Sequence, residues 1–489
     1  MRKITLLVIA CFSTMLLFSC KDELELKPFD QLEESSALVK PKDFTAAIRG
    51  AYSRMFGGEN GDYYPRKMIL ADVLSDNLII CQDGRLSLQK MYDFTYNANS
   101  VEDGILFYAY STADRANRII ENIDKLEDGA FKDDILGQAK AIRALAHFDV
   151  AINYAPSFTA VNPNDPNTGV PIKDHTDALA KPARATLQET FDFIVSELKD
   201  AASLIDDSRA NVASGFMNKA AVNTLLSRVY LYMGDYPNAK IAAQDAVNEA
   251  GSEDVAIGSR AEFPHIWTDN SAGDAGILFK LVVTEQDRVR PGVEYNQGYP
   301  NNIRSEYVPT FELYSLYDSS DVRKDAYILT SAYSTGNIYN NVIKYAQRPG
   351  GTIGVVDVKV VRGAEAYLNL AEAAARTGDD GTAITALDAV RSRRYASFVS
   401  PNETGQALLD AIMLQRRLEF AFEGQRFYDL KRLGLPIVRS ATEGDRYDGT
   451  GVPAPATARN ISANDHRFAL PIPTAERQAN PNFEQSPGY

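Results

Sequence analysis

The chain has little of what most enzymes use for chemistry. Its 489 residues include three cysteines, four histidines and one tryptophan. His147, His175, His265 and His466 lie far apart with no ligand spacing, which excludes the common zinc motifs. The dipeptide Gly-Lys never occurs, so there is no phosphate loop, and neither HExxH nor GxSxG is present. Cys81 stands outside any reactive signature and reads as an inert buried thiol. Lys and Arg total 51 against 65 Asp and Glu, a net charge of −14, which repels phosphate backbones and argues against nucleic acid. Long apolar runs are missing beyond Ile4–Phe18, and that run falls short of the ~20 residues a membrane helix needs. A pair of catalytic carboxylates stays open, because a glycosidase needs only two acids at the right separation.

Residues 1–19 read as a secretory signal peptide, with Arg2 and Lys3 ahead of the apolar run and Ser19 before Cys20. Leu17-Phe18-Ser19-Cys20 resembles a bacterial lipobox, with Phe18 bulkier than usual, and this makes Cys20 the lipid-bearing first residue of the mature chain. Cleavage there discards Cys11 and leaves Cys81 as the one remaining thiol, so no intrachain disulfide can form and stability must come from the core. Stable anchoring requires more than one acyl chain. The chain is expected to be exported, anchored and soluble beyond its anchor.

The body reads as a helical repeat. Val222, Leu225, Leu226, Val229, Tyr230 and Met233 recur on one helix face; Gly234 ends that helix and Pro237 suits the first turn of the next, where Ala239, Ala243 and Ala246 share a side. The pattern returns at 364–390, where Leu370, Gly378, Asp379, Ala383 and Ala386 match Leu226, Gly234, Asp235, Ala239 and Ala242. This spacing fits the tetratricopeptide helix pair of about 34 residues. Asp43 is expected to cap a helix with Phe44, Ala47, Ala51 and Met55 inward. Residues 105–126 and 135–154 form a further pair, and Thr186-Leu187-Gln188-Glu189 is a capping box opening a helix over 186–205. Helices thus occupy about 43–56, 102–250 and 358–434. The stretches 57–100, 252–357 and 435–489 do not read as helix; the second is aromatic and turn-rich with one strand at Gly276–Val283. Irregular segments of this length are usually functional.

The densest charged stretch, QRRLEFAFEGQRFYDLKRLG (415–434), places Arg416–Glu419, Glu423–Arg426 and Arg426–Asp429 at i,i+3 and reads as a helix laced to its neighbours. The same stretch resembles the ERRxELxFEGxRxxDLxRxG segment of the SusD/RagB family of outer-membrane nutrient-binding lipoproteins, with Gln415 for the usual Glu. ALPIPTAERQANPNFEQSPGY at the C-terminus resembles the family ending PIPxxExxxNPxLxQNPGY, with Phe483 and Ser486 as variants. QAKAIRALAHFDVAINYA (138–155) is similar to the family's AxxRAxxYFxLxxxYG helix, with Ala155 for Gly. Residues 181–201, 219–250 and 308–328 also match in order, so the resemblance spans nearly the whole chain. Lys21-Asp22-Glu23 looks like the acidic tag that sends such lipoproteins to the cell surface.

The resemblance implies a mainly α fold, a tetratricopeptide-like α-superhelix of about four helix pairs with a large irregular ligand-binding lobe carrying a few short strands. It implies one such domain over 20–489 and capture of a glycan, or in the RagB branch a peptide, for a SusC-like TonB-dependent transporter. It implies no catalysis and no cofactor, and no metal ligand is assigned. A surface glycosidase and a purely protein-binding scaffold are the rival readings. Sugar sites need flat aromatic faces and a few polar groups. Matching the regions that build the site in such proteins gives Asp62, Tyr63, Tyr64, Asp83, Arg85 and Tyr92 from the first insertion. The second supplies Trp267, Tyr295, Tyr299 and Arg304.

Overall fold

A computed structural model describes residues 37–101, 104–208, 215–271, 274–287 and 292–489. The expected signal peptide over 1–19, Cys20 and Lys21-Asp22-Glu23 lie outside the described residues. Among the described residues nine helices build the scaffold: α1 (Pro41–Arg54), α2 (Gly104–Glu121), α3 (Ala130–Tyr154), α4 (Leu187–Leu204), α5 (Lys219–Met233), α6 (Tyr236–Glu249), α7 (Gly363–Arg376), α8 (Asp380–Arg391) and α9 (Gly405–Glu419). Each packs on its neighbour in sequence order, and α6 meets α7 across the long insertion between them. The fold is therefore the mainly helical superhelix expected, with an irregular lobe and few short strands.

The recurring Gly-Asp has a double cause. Gly234 and Gly378 take left-handed φ values of 73° and 80° as the chain leaves α5 and α7. The next residues, Asp235 and Asp379, accept the N–H of Asn238 and Thr382 at 3.2 Å and cap α6 and α8. Ala239, Ala243, Ala383 and Ala386 are buried and let the paired helices approach closely. The capping box of α4 forms on both sides: Glu189 N–H donates to Thr186 Oγ1 at 3.1 Å, and Thr186 N–H donates to the Glu189 carboxylate at 2.9 Å. Asp43 differs from its expected place. The helix begins at Pro41, so Asp43 sits in its first turn, accepting the N–H of Lys40 at 2.9 Å. Ile48 and Tyr52 join Phe44, Ala51 and Met55 inward, while Ala47 is only half-buried.

The stretch 57–100 holds an unexpected helix, Tyr64–Leu74. Every one of its residues except Arg66 is buried, so it lacks the polar face whose period betrays a helix. Short helices also occur at Glu253–Ile257, Phe263–Ile266, Phe311–Leu316, Val322–Tyr327 and Thr474–Ala479. The expected strand is Ile277–Leu281, paired antiparallel with Val358–Arg362, which leads directly into α7. Further antiparallel pairs join Leu78–Ile80 to Tyr307–Pro309, Asn296–Gln297 to Arg304–Ser305, and Ile328–Ala332 to Ile338–Val342.

Close backbone approach fixes α7. A Cβ on Gly363 would lie 1.9 Å from the carbonyl oxygen of Ala256 and 2.6 Å from its carbon. Backbone cannot swing aside as a side chain can, so Gly363→Ala is expected to cost about 1–3 kcal/mol, the range of overpacked cores. A chemical-denaturation midpoint equal to wild type would refute this.

None of the three i,i+3 pairs in 415–434 forms. The helix stops at Glu419, and the chain turns through Phe422 and Gly424, with φ of 66° and 70°, before a new helix at Arg426–Leu433. After that break most of these charges find distant partners, while Asp429 also keeps Arg432 at i,i+3. Glu419 takes Arg323, Arg362 and Arg394. Glu423 takes Lys344 and Arg362 at 2.7 and 2.6 Å; Arg426 takes Asp76, and Asp429 takes Arg416 and Arg432. The stretch laces lobe to scaffold as expected, by tertiary contacts rather than along one helix. Gln415 joins the same cluster, accepting from Arg323 at 2.9 Å and donating to Tyr395 at 3.0 Å.

The C-terminal residues dock back on the scaffold. Arg184 donates to Glu484 O at 2.8 Å and to Ser486 Oγ at 3.0 Å, and Ser486 Oγ donates to Tyr154 O at 3.1 Å. Tyr489 stacks on Tyr96 with ring centres 6.3 Å apart.

Candidate functional site

Five of the candidate aromatics are buried in the lobe's interior. Tyr63 donates to Asp149 at 3.0 Å, and the Tyr64 ring lies under Lys67 Nζ at 4.2 Å. Tyr92 carries the Arg439 guanidinium over its ring at 4.2 Å. Tyr295 donates to Asp72 at 3.0 Å. Trp267 is 1% exposed, boxed by Phe263, Tyr327 and Tyr345, with Lys344 Nζ 4.0 Å above it. These rings hold the lobe together and present no face to solvent. Their aromatic neighbourhood read as a ligand surface in sequence because burial of a loop residue is set by distant contacts. Asp62 sits in the turn after α1, where its N–H donates to Gly57 O at 3.2 Å.

Trp267 consequently reports on the core. Its emission is expected to stay unchanged on saturation with ligand and to shift red only on unfolding, since burial keeps water from the indole. A ligand-dependent change in its fluorescence would contradict this placement.

Asp83, Arg85 and Arg304 come together. Asp83 follows the short strand Leu78–Ile80, and its Oδ2 accepts three hydrogen bonds, from Thr335 Oγ1 at 2.7 Å, Tyr339 OH at 2.8 Å and Asn337 Nδ2 at 2.9 Å. All three donors belong to the hairpin whose strands are Ile328–Ala332 and Ile338–Val342 or to its turn. Burial opposes the charge, yet these donors win and hold the Asp83 carboxyl below its ordinary value. The same bond, added to burial, raises the Tyr339 phenol, so Tyr339 stays a donor.

Arg304 comes from the neighbouring hairpin and donates to the Asp83 and Gly84 carbonyls at 3.1 and 3.3 Å. Arg85 Nε donates to the buried Glu306 at 2.7 Å while its side chain remains 48% exposed. Glu306 also accepts the Arg85 N–H at 2.8 Å and Gln297 at 3.1 Å. Arg446 arrives from a fourth segment, donating to Asn337 Oδ1 and lying 5.5 Å over the Tyr339 ring. Asp445 pins that segment by accepting the Gln82 and Val452 N–H groups at 3.0 and 2.9 Å. Tyr299, at the tip of the Arg304 hairpin, is half-buried. Four chain segments thus converge on one polar surface with exposed guanidinium and half-exposed tyrosine.

Sequence reasoning missed Thr335, Asn337, Tyr339 and Arg446. The hairpin was signalled by Ser-Thr-Gly-Asn (334–337) between two β-rich runs. Arg446 lies far along the chain and carried no local sign. Cys81, next to this surface, is buried, and burial pushes its thiol up to about 12, which makes it inert.

Comparison with known proteins agrees with this architecture. The family model described as "SusD family" matches residues 284–489, and the one described as "Starch-binding associating with outer membrane" matches 34–231. The chain is 25% identical over its whole length to SusD-like protein P2 of Formosa agariphila, covering 99% of that protein. A putative sugar binding protein from Bacteroides vulgatus superposes with a TM-score of 0.81 at 29% identity, covering 93% of this chain and all of the other. A SusD superfamily protein from Bacteroides thetaiotaomicron gives 0.78 at 26%, covering 92% of this chain and all of the other. The two family models between them take in scaffold, lobe and C-terminal tail, and the chain belongs to the SusD/RagB family.

Proposed function

We propose that the protein captures a glycan at the cell surface, without cleaving it, and hands it to a SusC-like TonB-dependent transporter. The mature chain begins at a lipidated Cys20, follows a signal peptide over 1–19, forms one domain to Tyr489 and faces the exterior. The observation that carries this reading is the convergence of four lobe segments on the polar surface around Asp83, in a chain of a carbohydrate-binding family. An exposed guanidinium and a half-buried tyrosine suit sugar hydroxyls and ring faces. They also suit peptide termini, which keeps the peptide-capturing branch as the second reading.

Calorimetric titration of the protein against a glycan panel and a peptide pool tests it, with product analysis for hydrolysis. Saturable binding of one glycan without cleavage is expected; exclusive peptide binding would move the protein to the other branch, and cleavage would make it a glycosidase. Co-purification of an outer-membrane barrel with the full chain, and its loss with Cys20→Ala, tests partner and anchor.

A further inference from the structure

We infer that the ligand captured at the Asp83 surface carries acidic groups: carboxylates of uronate sugars or sulfate esters. The inference rests on the glycan reading and narrows its substrate class. It follows from which hydrogen-bonding atoms the protein uses internally. Asp83 Oδ2 takes three donors, both Glu306 oxygens accept from Arg85, and both Asp445 oxygens accept backbone N–H groups. The acceptors are therefore largely consumed.

The donors are not. Arg85 engages the protein through Nε and its backbone N–H, leaving both terminal amino groups without partners among the described residues, on a side chain that is half exposed. Arg304 uses Nε and one amino group, and Arg446 uses one amino group. Three guanidinium groups thus keep spare N–H groups on one surface, each anchored so that little side-chain freedom is left to lose. A planar guanidinium matches a carboxylate or sulfate with two parallel bonds, which a neutral hydroxyl cannot accept equally well. The whole chain carries −14, so attraction to an acidic glycan cannot come from its long-range field and must be supplied by these contacts.

The test is affinity electrophoresis and calorimetry of the full chain with polygalacturonate, carrageenan, neutral galactan and polyglutamate. At least one acidic polysaccharide is expected to bind at least about 10-fold tighter than galactan, the tenfold of a single charge-assisted bond. Arg85→Gln and Arg446→Gln are each expected to weaken that binding about 10-fold, measured at a temperature where native Trp267 emission shows both variants folded; Arg446→Gln leaves the unfolding midpoint unchanged, whereas Arg85→Gln lowers it because buried Glu306 loses its cation. Galactan binding as tightly as both acidic polymers overturns this inference alone and leaves glycan capture standing. Polyglutamate binding with silence toward every polysaccharide overturns both. Acidic-glycan binding untouched by either arginine variant also overturns the assignment, as does failure of both acidic polymers to bind.

Discussion

Replacing Glu419 by glutamine is expected to cost the fold about 3–5 kcal/mol, the range for removing one partner of a buried ion cluster. Glu419 is fully buried where three arginines meet: Oε1 accepts from Arg362 at 2.8 Å and Arg394 at 2.9 Å, and Oε2 from Arg394 at 3.0 Å and Arg323 at 3.3 Å. Burial alone would raise this carboxyl, but Arg394, Arg362 and Arg323 outweigh it and hold it well below the usual range. Glutamine preserves the shape and removes the charge. Its amide nitrogen would then face a guanidinium donor, and the three cations would have only Asp321 and Glu423 as anionic partners. Arg323 belongs to the lobe, whereas Arg362 and Arg394 flank α7 and α8, so the damage falls on the joint between lobe and scaffold. Urea unfolding followed by Trp267 emission checks it; a loss under 1 kcal/mol would show that the cluster relaxes.

Acidification from pH 6.5 to 4 is expected to withdraw about 3 kcal/mol through His147, the free energy of a shift of this size. The ring is fully buried in α3, its Nδ1 donating to Arg143 O at 2.8 Å and its Nε2 accepting the Lys173 N–H at 3.0 Å. Both nitrogens are satisfied only in the neutral tautomer, and burial pushes the group down from 6.5 to about 4. The folded value lies below the unfolded one, so between them the unfolded chain binds more protons. The contribution is complete above pH 6.5 and is lost as pH falls to about 4. Asp72 acts oppositely. Burial raises it to about 7, against hydrogen bonds from Tyr295 and Gly424 N–H, so its folded form gains as pH falls through the same window. The slope of stability against pH in His147→Gln minus that of wild type isolates the histidine. Identical slopes would mean that protonated His147 finds a new partner without unfolding.

The sequence by itself determined the repeating helices. Their signals are local: Gly234 and Gly378 with left-handed φ, Asp235 and Asp379 as caps, Thr186 and Glu189 closing a box, alanines at close approach. It also carried the family likeness and three residues that meet on the candidate surface, Asp83, Arg85 and Arg304. Tertiary structure alone decided which tyrosines are interior and where each charge of 415–434 goes. Tyr295 and Trp267 look like ligand rings in a loop until Asp72 and Lys344, distant in sequence, close over them. Arg446 joins Asp83 only because a hairpin and a C-terminal segment fold to one place. Helix signals act within about one turn of backbone, through caps and side-chain spacing. A site built from four loops depends on packing between residues hundreds of positions apart, which no local spacing encodes.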